Sequence, residues 1–293
     1  MTQGLLFIGI VVVIGLLWIA IYDTSRFVIV HYTAKDPKIK KSFRVVLLSD
    51  LHNKQYGIHN SRLLHAIRSL SPNGILIAGD MVTATKSVQT ECAMALLTEL
   101  AKDYPIYYAN GNHEQKLNFL TGAALEKAQI YMEQIHALSI HSVNNQSYRL
   151  SEQNIVISGL EMDHDYYFRS DAPKMDAAYL QGLLGESQQE QYHILLAHNP
   201  QYFPQYAEWG ADLVLSGHIH GGIIRIPAGR GLLSPTIRFF PKYDGGLFEQ
   251  GKSKMILSRG IGYHCIPFRL FNPSEIVVID FRSSDQSEVI LDK

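Results

Sequence analysis

Three short apolar runs that each end in a polar turn constrain the fold of this chain most strongly. The runs are Phe43–Leu48, Ile75–Ala78 and Ile106–Ala109. Two helical patterns lie between them, with apolar faces formed by Leu63, Leu64, Ile67 and Leu70 and then by Ala93, Leu96, Leu97 and Leu100. Alternating strands and helices predict a parallel sheet covered by helices. Right-handed crossovers would bring the carboxyl ends of all three strands to one rim.

The second half of the chain is richer in strand patterns than the first. Asn60 is predicted to cap the first helix, and another helix is expected around Leu125–Ile135. Further strands are predicted at Ile155–Gly159, Tyr192–Ala197, Leu213–Ser216, Ile223–Ile226, Met255–Leu257 and Glu275–Phe281, with an edge strand at Gln286–Leu291. We find no low-complexity linker or internal repeat, so one catalytic domain is expected from residue 43 to residue 293.

Side chains that bind metals follow these strands at the positions where the strands end. The candidate ligands are Asp50, His52, Asp80, Asn112, His198, His218 and His220. Asp50 and His52 are two residues apart, and in an extended chain such a pair shares one face, as His218 and His220 would. Each signal is weak alone, but the set suits two divalent ions. Imidazole and carboxylate ligands without thiolate favour Mn, Fe, Co or Zn, and the mixture does not choose among them.

The composition narrows the remaining classes of function. The formal net charge is -1, which gives no sign of a nucleic-acid partner. Cys92 and Cys265 are far apart and form no CxxC pair, so buried free thiols are expected, with one long-range disulfide as the alternative. Eight histidines outside the strand ends, at positions 31, 59, 65, 136, 141, 164, 193 and 264, are interpreted as solvated or core residues. Of these, His164 is a candidate for a contact with substrate.

The N-terminal stretch Gly4–Tyr22 has 19 residues without a charge, enough for one membrane-spanning helix. A cleaved signal peptide is the alternative, but no basic residue precedes the stretch and no A-x-A pattern follows it. We therefore expect an anchor at residues 1–22 and a polar connector at residues 23–42. The flank carries Arg26, Lys35, Lys38, Lys40 and Lys41. These charges favour a cytoplasmic catalytic domain and equally suit contact with anionic headgroups.

The strand-end motifs together resemble the calcineurin-like metallophosphoesterase superfamily. They are Asp50-Leu51-His52, Gly79-Asp80, Gly111-Asn112-His113-Glu114, His198 and Gly217-His218-Ile219-His220. The stretches Gly217–Gly222 and Phe271–Glu275 resemble its membrane-associated bacterial branch. The resemblance implies a four-layer α/β/β/α sandwich. It also implies one metal held by Asp50, His52, Asp80 and His220, and another held by Asn112, His198, His218 and the shared Asp80.

The same resemblance implies two-metal hydrolysis of a phosphoester or pyrophosphate bond by a metal-bridging hydroxide. His113 would be catalytic, facing the substrate to stabilise charge or protonate the leaving oxygen, and Glu114 would orient its neighbours. A membrane phospholipid or lipid-linked pyrophosphate is the first candidate substrate, before a soluble diester or nucleotide. Tyr166, Tyr167, Phe168 and Arg169 in the loop Glu161–Met175 either bind part of that substrate or simply pack.

Two hypotheses that assign the chain to other classes of function are less favoured. A non-catalytic interaction module would be expected to lack His113 or several ligands, whereas every expected position is filled here. A protein phosphatase would need a docking segment for its partner, and the sequence shows no obvious one. The sequence thus indicates a phosphorylated small-molecule or lipid-linked substrate and a single-pass protein of the cell membrane, with no protein partner indicated.

Overall fold

Two mixed sheets form the centre of the protein, as seen in a computed structural model that describes residues 2–85, 88–167, 174–227, 229–233, 239–263 and 268–284. The strands in chain order are β1 (Phe27–Lys35), β2 (Phe43–Leu48), β3 (Gly74–Ala78), β4 (Ile106–Ala109), β5 (Ile140–Ser142), β6 (Gln146–Leu150), β7 (Ile155–Leu160), β8 (Tyr192–Ala197), β9 (Leu213–Ser216), β10 (Ile224–Arg225), β11 (Gly231–Leu233), β12 (Gly246–Gln250), β13 (Ser253–Leu257) and β14 (Ser274–Arg282).

The described residues contain seven helices. They are α1 (Thr2–Ser25), α2 (Ser61–Ser69), α3 (Glu91–Ala101), α4 (Asn112–Leu117), α5 (Ala123–Ala137), α6 (Ala177–Leu184) and α7 (Phe203–Trp209). Short 3-10 turns occur at Ile58–Asn60, His164–Tyr167 and Pro200–Tyr202. The predicted apolar faces of α2 and α3 are buried. Because both faces of the central strands are covered, their sequences are continuously apolar rather than alternating.

The first sheet has the order β1-β14-β2-β3-β4-β5, and the second has the order β12-β13-β9-β8-β7-β6. Strands β2, β3 and β4 are parallel, as are β7, β8 and β9, whereas β14 runs antiparallel to β2. Alternate residues of β2 separate the layers: Val45 and Leu47 pack between the sheets, and Val46 packs under α2 and α3. Helices α6 and α7 cover the second sheet. The predicted four-layer α/β/β/α sandwich is therefore confirmed.

Two local predictions are wrong for physical reasons. Asn60 does not cap α2: it has a left-handed backbone, and its Oδ1 accepts a hydrogen bond from the Tyr56 N–H at 2.9 Å. The polar connector expected at residues 23–42 contains β1, which pairs with β14 in parallel. Its side chains alternate between half-buried and exposed positions, the pattern of an edge strand with one covered face. The many charges around β1 hide this alternation.

Helix α1 is long and apolar enough to cross a membrane, and a signal sequence would have the same length and apolar composition. Most of its side chains are exposed, although Ala20 and Asp23 are buried near its C-terminal end. The predicted edge strand Gln286–Leu291 and Cys265 lie outside the described residues. The Cys92 thiol is free and half-buried.

Candidate metal centre

The candidate ligands meet at the rim where β2, β3, β4, β8 and β9 end. Three groups of side chains there have ligand atoms within 4.8 Å of one another: Asp50 with His52 and His220, His52 with Asp80 and His113, and Asp80 with His198 and His218. Asn112 begins α4 beside His113 and is buried as well. The rim therefore brings together the residues that the sequence predicted from separate strands.

The backbone achieves this convergence differently from the expected extended pairs. Five of the seven candidates have a positive φ: Asp50 (53°), His52 (46°), Asp80 (57°), His218 (75°) and His220 (55°). The premise that Asp50 and His52 share a face of an extended chain is thus wrong. Such backbone conformations cost about 1–3 kcal/mol each for residues other than glycine, and they cluster at functional sites. Here the Asp50 N–H donates to Gly79 O at 3.0 Å and the His52 N–H donates to Asp80 O at 3.2 Å, so neighbouring turns hold each other.

Asp80 lies at the centre of the cluster. Its Oδ1 accepts a hydrogen bond from the His113 N–H at 2.8 Å. Its Oδ2 lies 3.0 Å from His198 Nε2 and 3.7 Å from His52 Nε2. Burial opposes ionisation of Asp80, but His198 and His113 hold the pKa of its carboxyl well below the ordinary value. One oxygen of an ionised carboxylate therefore faces both sides of the cluster.

His198 is fixed in a single orientation by its other ring nitrogen. The Nδ1–H donates to Ala78 O at 2.6 Å, because a carbonyl can only accept, and this leaves Nε2 directed at the carboxylates. Burial lowers the pKa of His198, but Asp80 and Asp50 raise it to about 10. The strong attraction of this imidazole for a proton shows that the buried carboxylates create a demand for positive charge.

The donor set fits divalent cations. Asp50 Oδ2 and Asn112 Oδ1 are buried and have no hydrogen-bond partner within the described ranges. Burial raises the pKa of Asp50 to about 6, so its ionised form needs a nearby cation. His52 Nε2 lies 3.2 Å from His220 Nε2. Two nitrogens bound to one ion at about 2.0–2.1 Å would be separated by a similar distance.

Two glycines leave room for these carboxylates. A Cβ added at Gly217 would lie 2.3 Å from Asp50 Oδ2, and one added at Gly111 would lie 2.2 Å from Asp80 Oδ1. Contacts this short do not occur between non-bonded atoms, so any side chain here would displace a candidate ligand. This close approach gives a physical reason for the glycines in the Gly-Asn-His and Gly-His-Ile-His motifs.

Glu114 braces the turns instead of entering the cluster. Its Oε1 accepts from the Met81 N–H at 2.7 Å, and its Oε2 accepts from the Asp80 N–H at 2.8 Å and the Gly111 N–H at 2.9 Å. The Tyr108 hydroxyl also donates to Oε1, at 2.9 Å. Burial, and to a smaller extent the nearby Asp80, raise the pKa of Glu114 to about 7 against the backbone donors that lower it. These contacts fit the orienting role expected for Glu114.

Other residues that support the site escaped the sequence reasoning. The Thr83 hydroxyl lies 3.0 Å from His52 Nδ1. The Asn272 amide donates to His220 O at 2.8 Å and to Gly222 O at 2.7 Å. Arg269 is buried and donates to His220 O at 3.3 Å. The Phe271–Glu275 motif was the available signal for Asn272, whereas nothing in the sequence singles out Thr83 or Arg269.

His113 and Tyr167 present hydrogen-bond donors at the edge of the cluster. His113 Nδ1 accepts from the Ala84 N–H at 3.0 Å, so the neutral ring carries its proton on Nε2. The Tyr167 ring packs against the His218 ring with centroids 5.6 Å apart, and its buried hydroxyl has no hydrogen-bond partner among the residues described. His164 contacts Phe119, so its suggested contact with substrate stays a prediction. Phe168 and Arg169 lie outside the described residues.

Comparisons with known proteins agree with this geometry. A model of the family described as calcineurin-like phosphoesterase matches residues 43–222, a range that contains all seven candidate ligands and His113. An uncharacterised metallophosphoesterase of Campylobacter jejuni is 29% identical, over 84% of this chain and 61% of that protein. The chain thus spans about three-fifths of that relative's length.

A phosphodiesterase of Escherichia coli, YaeI, is 25% identical over 75% of each protein. Among solved structures, the NAD nucleotidase of Haemophilus influenzae aligns with a TM-score of 0.46 and 13% identity, covering 75% of this chain and 45% of that one.

Proposed function

The chain belongs to the calcineurin-like phosphoesterase family, and we propose that it hydrolyses a phosphoester or pyrophosphate bond with two divalent metal ions. One observation carries the proposal: Asp80 Oδ2 is buried between His198 Nε2 at 3.0 Å and His52 Nε2 at 3.7 Å. A single carboxylate oxygen so placed suits a bridge between two cations. The three ligand groups within 4.8 Å support the same arrangement.

The residues divide into two sets around this bridge. Asp50, His52 and His220 would hold one ion together with Asp80, and Asn112, His198 and His218 would hold the other with the same Asp80. Mn, Fe, Zn and Co suit these nitrogen and oxygen donors. Ions bound there would act as Lewis acids on phosphoryl oxygens and supply hydroxide at neutral pH.

The chain's own contribution to catalysis centres on His113. Its Nδ1 is occupied by the Ala84 N–H, so its Nε2–H is the proton available to a phosphoryl or leaving-group oxygen. Donation from a fixed imidazole contributes typically 10²–10⁴-fold to such reactions. The Tyr167 hydroxyl, buried beside His218, would donate a second hydrogen bond to the substrate.

The substrate class is proposed from the N-terminal region. Helix α1 would be retained as a single-pass anchor, with residues 1–22 in the membrane and the catalytic domain in the cytoplasm, because basic residues follow the helix. An anchored enzyme meets membrane lipids at high local concentration, which favours a lipid-linked phosphoester or pyrophosphate. A soluble diester or nucleotide is the second candidate, supported by the E. coli relative that is named a phosphodiesterase.

Hydrolysis by the full-length protein in detergent micelles tests this function. The protein would be stripped of metal, reloaded with Mn²⁺ and assayed with a chromogenic diester and with the matching monoester. The proposal expects metal-dependent turnover that Asp80→Asn and His113→Ala abolish or greatly reduce. His113→Ala should still bind the metal, because His113 is proposed to donate a proton and not to be a metal ligand.

Two results would oppose the proposal. Turnover unchanged in both variants would mean that another site or a contaminant hydrolyses the diester. No turnover on either chromogenic substrate, nor on lipid pyrophosphates in vesicles, would favour a non-catalytic interaction module. The ratio of diester to monoester hydrolysis would also separate the candidate substrates.

A further inference from the structure

The C-terminal end of helix α1 lies against the rim that carries the metal centre. Thr24 Oγ1 accepts a hydrogen bond from the Arg269 N–H at 3.0 Å, and Thr24 O accepts one from Lys54 Nζ at 2.6 Å. Arg269 also donates to the backbone of the candidate ligand His220. Lys54 follows His52 by two residues. The apolar helix therefore joins the catalytic rim directly.

Exposed apolar side chains occur on a ribbon that is hydrogen-bonded to this junction. Ile226 is 45% exposed, Phe239 is 69% exposed and Phe240 is 54% exposed. They belong to the ribbon of β10 and β11 and its continuation, where Phe239 pairs with Leu233. The ribbon is tied to the junction because the Arg225 N–H donates to Leu270 O, next to Arg269.

A fourth apolar side chain reaches the junction from another loop. Ile58 is 78% exposed and lies two residues after Tyr56. The Tyr56 ring packs edge-on against Phe27, with centroids 5.0 Å apart. Phe27 begins β1, two residues after α1 ends. We call Ile58, Ile226, Phe239 and Phe240 the rim patch. Its members come from segments that follow Asp50-Leu51-His52 and Gly217–Gly222 in the sequence, and Lys54 and Arg225 tie these segments to the junction with α1.

The sequence of the segment that carries Ile226, Phe239 and Phe240 is basic. Between Ile223 and Tyr243 the sequence contains Arg225, Arg230, Arg238 and Lys242 and no acidic residue. Arg230 and Lys242 are exposed. Exposed aromatic and aliphatic side chains interleaved with Arg and Lys are typical of protein surfaces that lie in the interface of an anionic bilayer.

We propose that the rim patch lies in the headgroup region of the same bilayer that α1 enters, with an anionic lipid surface as its partner. This inference rests on the proposed retention of α1 and deepens the proposed function. A rim held at this depth places the metal centre at the level of lipid headgroups. The enzyme would then act on the phosphoester or pyrophosphate of an amphipathic lipid whose acyl chains stay in the membrane.

Photo-cross-linking in a bilayer tests the orientation without relying on catalysis. Full-length protein with p-benzoylphenylalanine in place of Phe240 would be reconstituted into vesicles of phosphatidylcholine and phosphatidylglycerol, irradiated and analysed for lipid adducts by mass spectrometry. The matched control carries the same probe at Ile130 on α5, because Ile130 is 52% exposed and Phe240 is 54% exposed. A probe at Ile58 replaces the Phe240 probe if that variant does not fold.

The proposal expects at least about fivefold more lipid adduct at Phe240 than at Ile130, and less adduct at Phe240 in vesicles of phosphatidylcholine alone. Equal yields at the two positions overturn it, as do adducts at Phe240 with a second protein chain in place of lipid. Lipid adducts in a protein that hydrolyses nothing would keep the docking surface and remove the proposed function. Turnover without such adducts would keep the proposed function and remove the docking surface.

Discussion

The two ends of the sheets use charged side chains in opposite ways. At the start of β8, β9 and β13, away from the metal rim, a cavity of about 820 Å³ is lined by residues that include Lys38, Asp212 and Lys254. Lys38 Nζ pairs with both oxygens of Asp212 at 2.7 and 2.9 Å, and both side chains are partly exposed. At the rim, Asp50 and Asp80 are almost completely buried and face imidazoles.

This contrast shows which property identifies the functional site. The far cavity has volume, but the Asp212 carboxylate in its lining is already neutralised by Lys38. The rim instead keeps two buried oxygens, Asp50 Oδ2 and Asn112 Oδ1, without hydrogen-bond partners in the described part of the chain. Such atoms are costly unless a ligand satisfies them. Unpartnered carboxylate and amide oxygens that lie among several imidazoles, and not the size of a cavity, therefore make the rim the candidate functional site.

The largest expected difference between the ends is in turnover. Asp80→Asn removes the charge of the carboxylate that is proposed to bridge the ions, which should lower kcat/KM for a chromogenic diester by about a thousandfold or more, equivalent to about 4 kcal/mol of lost transition-state stabilisation. Asp212→Asn removes one carboxylate from the far end and should leave kcat/KM within about twofold. Comparable losses in both variants would remove the distinction between the ends.

Metal addition should stabilise the protein through the rim alone. Free Mn²⁺ at about 100 times its dissociation constant should raise the free energy of unfolding by about 2.7 kcal/mol for each occupied site. Thermal unfolding of the full-length protein should show this gain in the wild type and in Asp212→Asn. The gain should shrink in Asp50→Asn, because that variant loses a ligand. A gain that persists in Asp50→Asn would place the ion elsewhere.

Tyr167→Phe should separate activity from stability. The Tyr167 hydroxyl has no protein partner to lose among the described residues, so the free energy of unfolding should not fall, whereas kcat/KM should fall about tenfold with the lost donor to substrate. Tyr202→Phe is the matched variant: its hydroxyl donates to Tyr166 O at 3.1 Å, and its loss should cost about 1 kcal/mol of stability. A stability loss without an activity loss in Tyr167→Phe would make Tyr167 a packing residue.

The smallest effect is expected from an ion pair at the far end. A hydrogen bond from Arg44 lowers the pKa of Asp280, against burial. Because the folded-state pKa is depressed, the ionised carboxylate stabilises the fold above its unfolded pKa, and this contribution disappears as the pH falls through the folded pKa. Asp280→Asn should therefore cost at most about 1 kcal/mol at pH 7 and less than that at about pH 3. Denaturant unfolding at both pH values measures this, and an equal cost at both would exclude the ion pair as its cause.

The sequence predicted the elements whose signals are strong and local. The apolar runs of β2, β3 and β4 are interrupted by Asp50, Asp80 and Asn112, so both the strands and the candidate ligands could be recognised. The left-handed backbone at Asp50 and His52 could not be recognised from the sequence, since only glycine marks a positive φ reliably. Strand β1 was missed because an edge strand with one exposed face resembles a polar linker.

The central claim is that the rim holds a pair of divalent ions bridged by Asp80. Electron paramagnetic resonance of the metal-stripped, full-length protein titrated with Mn²⁺ tests this claim most directly. Saturation should give two Mn²⁺ per chain with the broadened signal of a magnetically coupled pair, and Asp80→Asn should lose the coupling. One Mn²⁺ per chain at saturation, or two ions with uncoupled six-line spectra in the wild type, would contradict it.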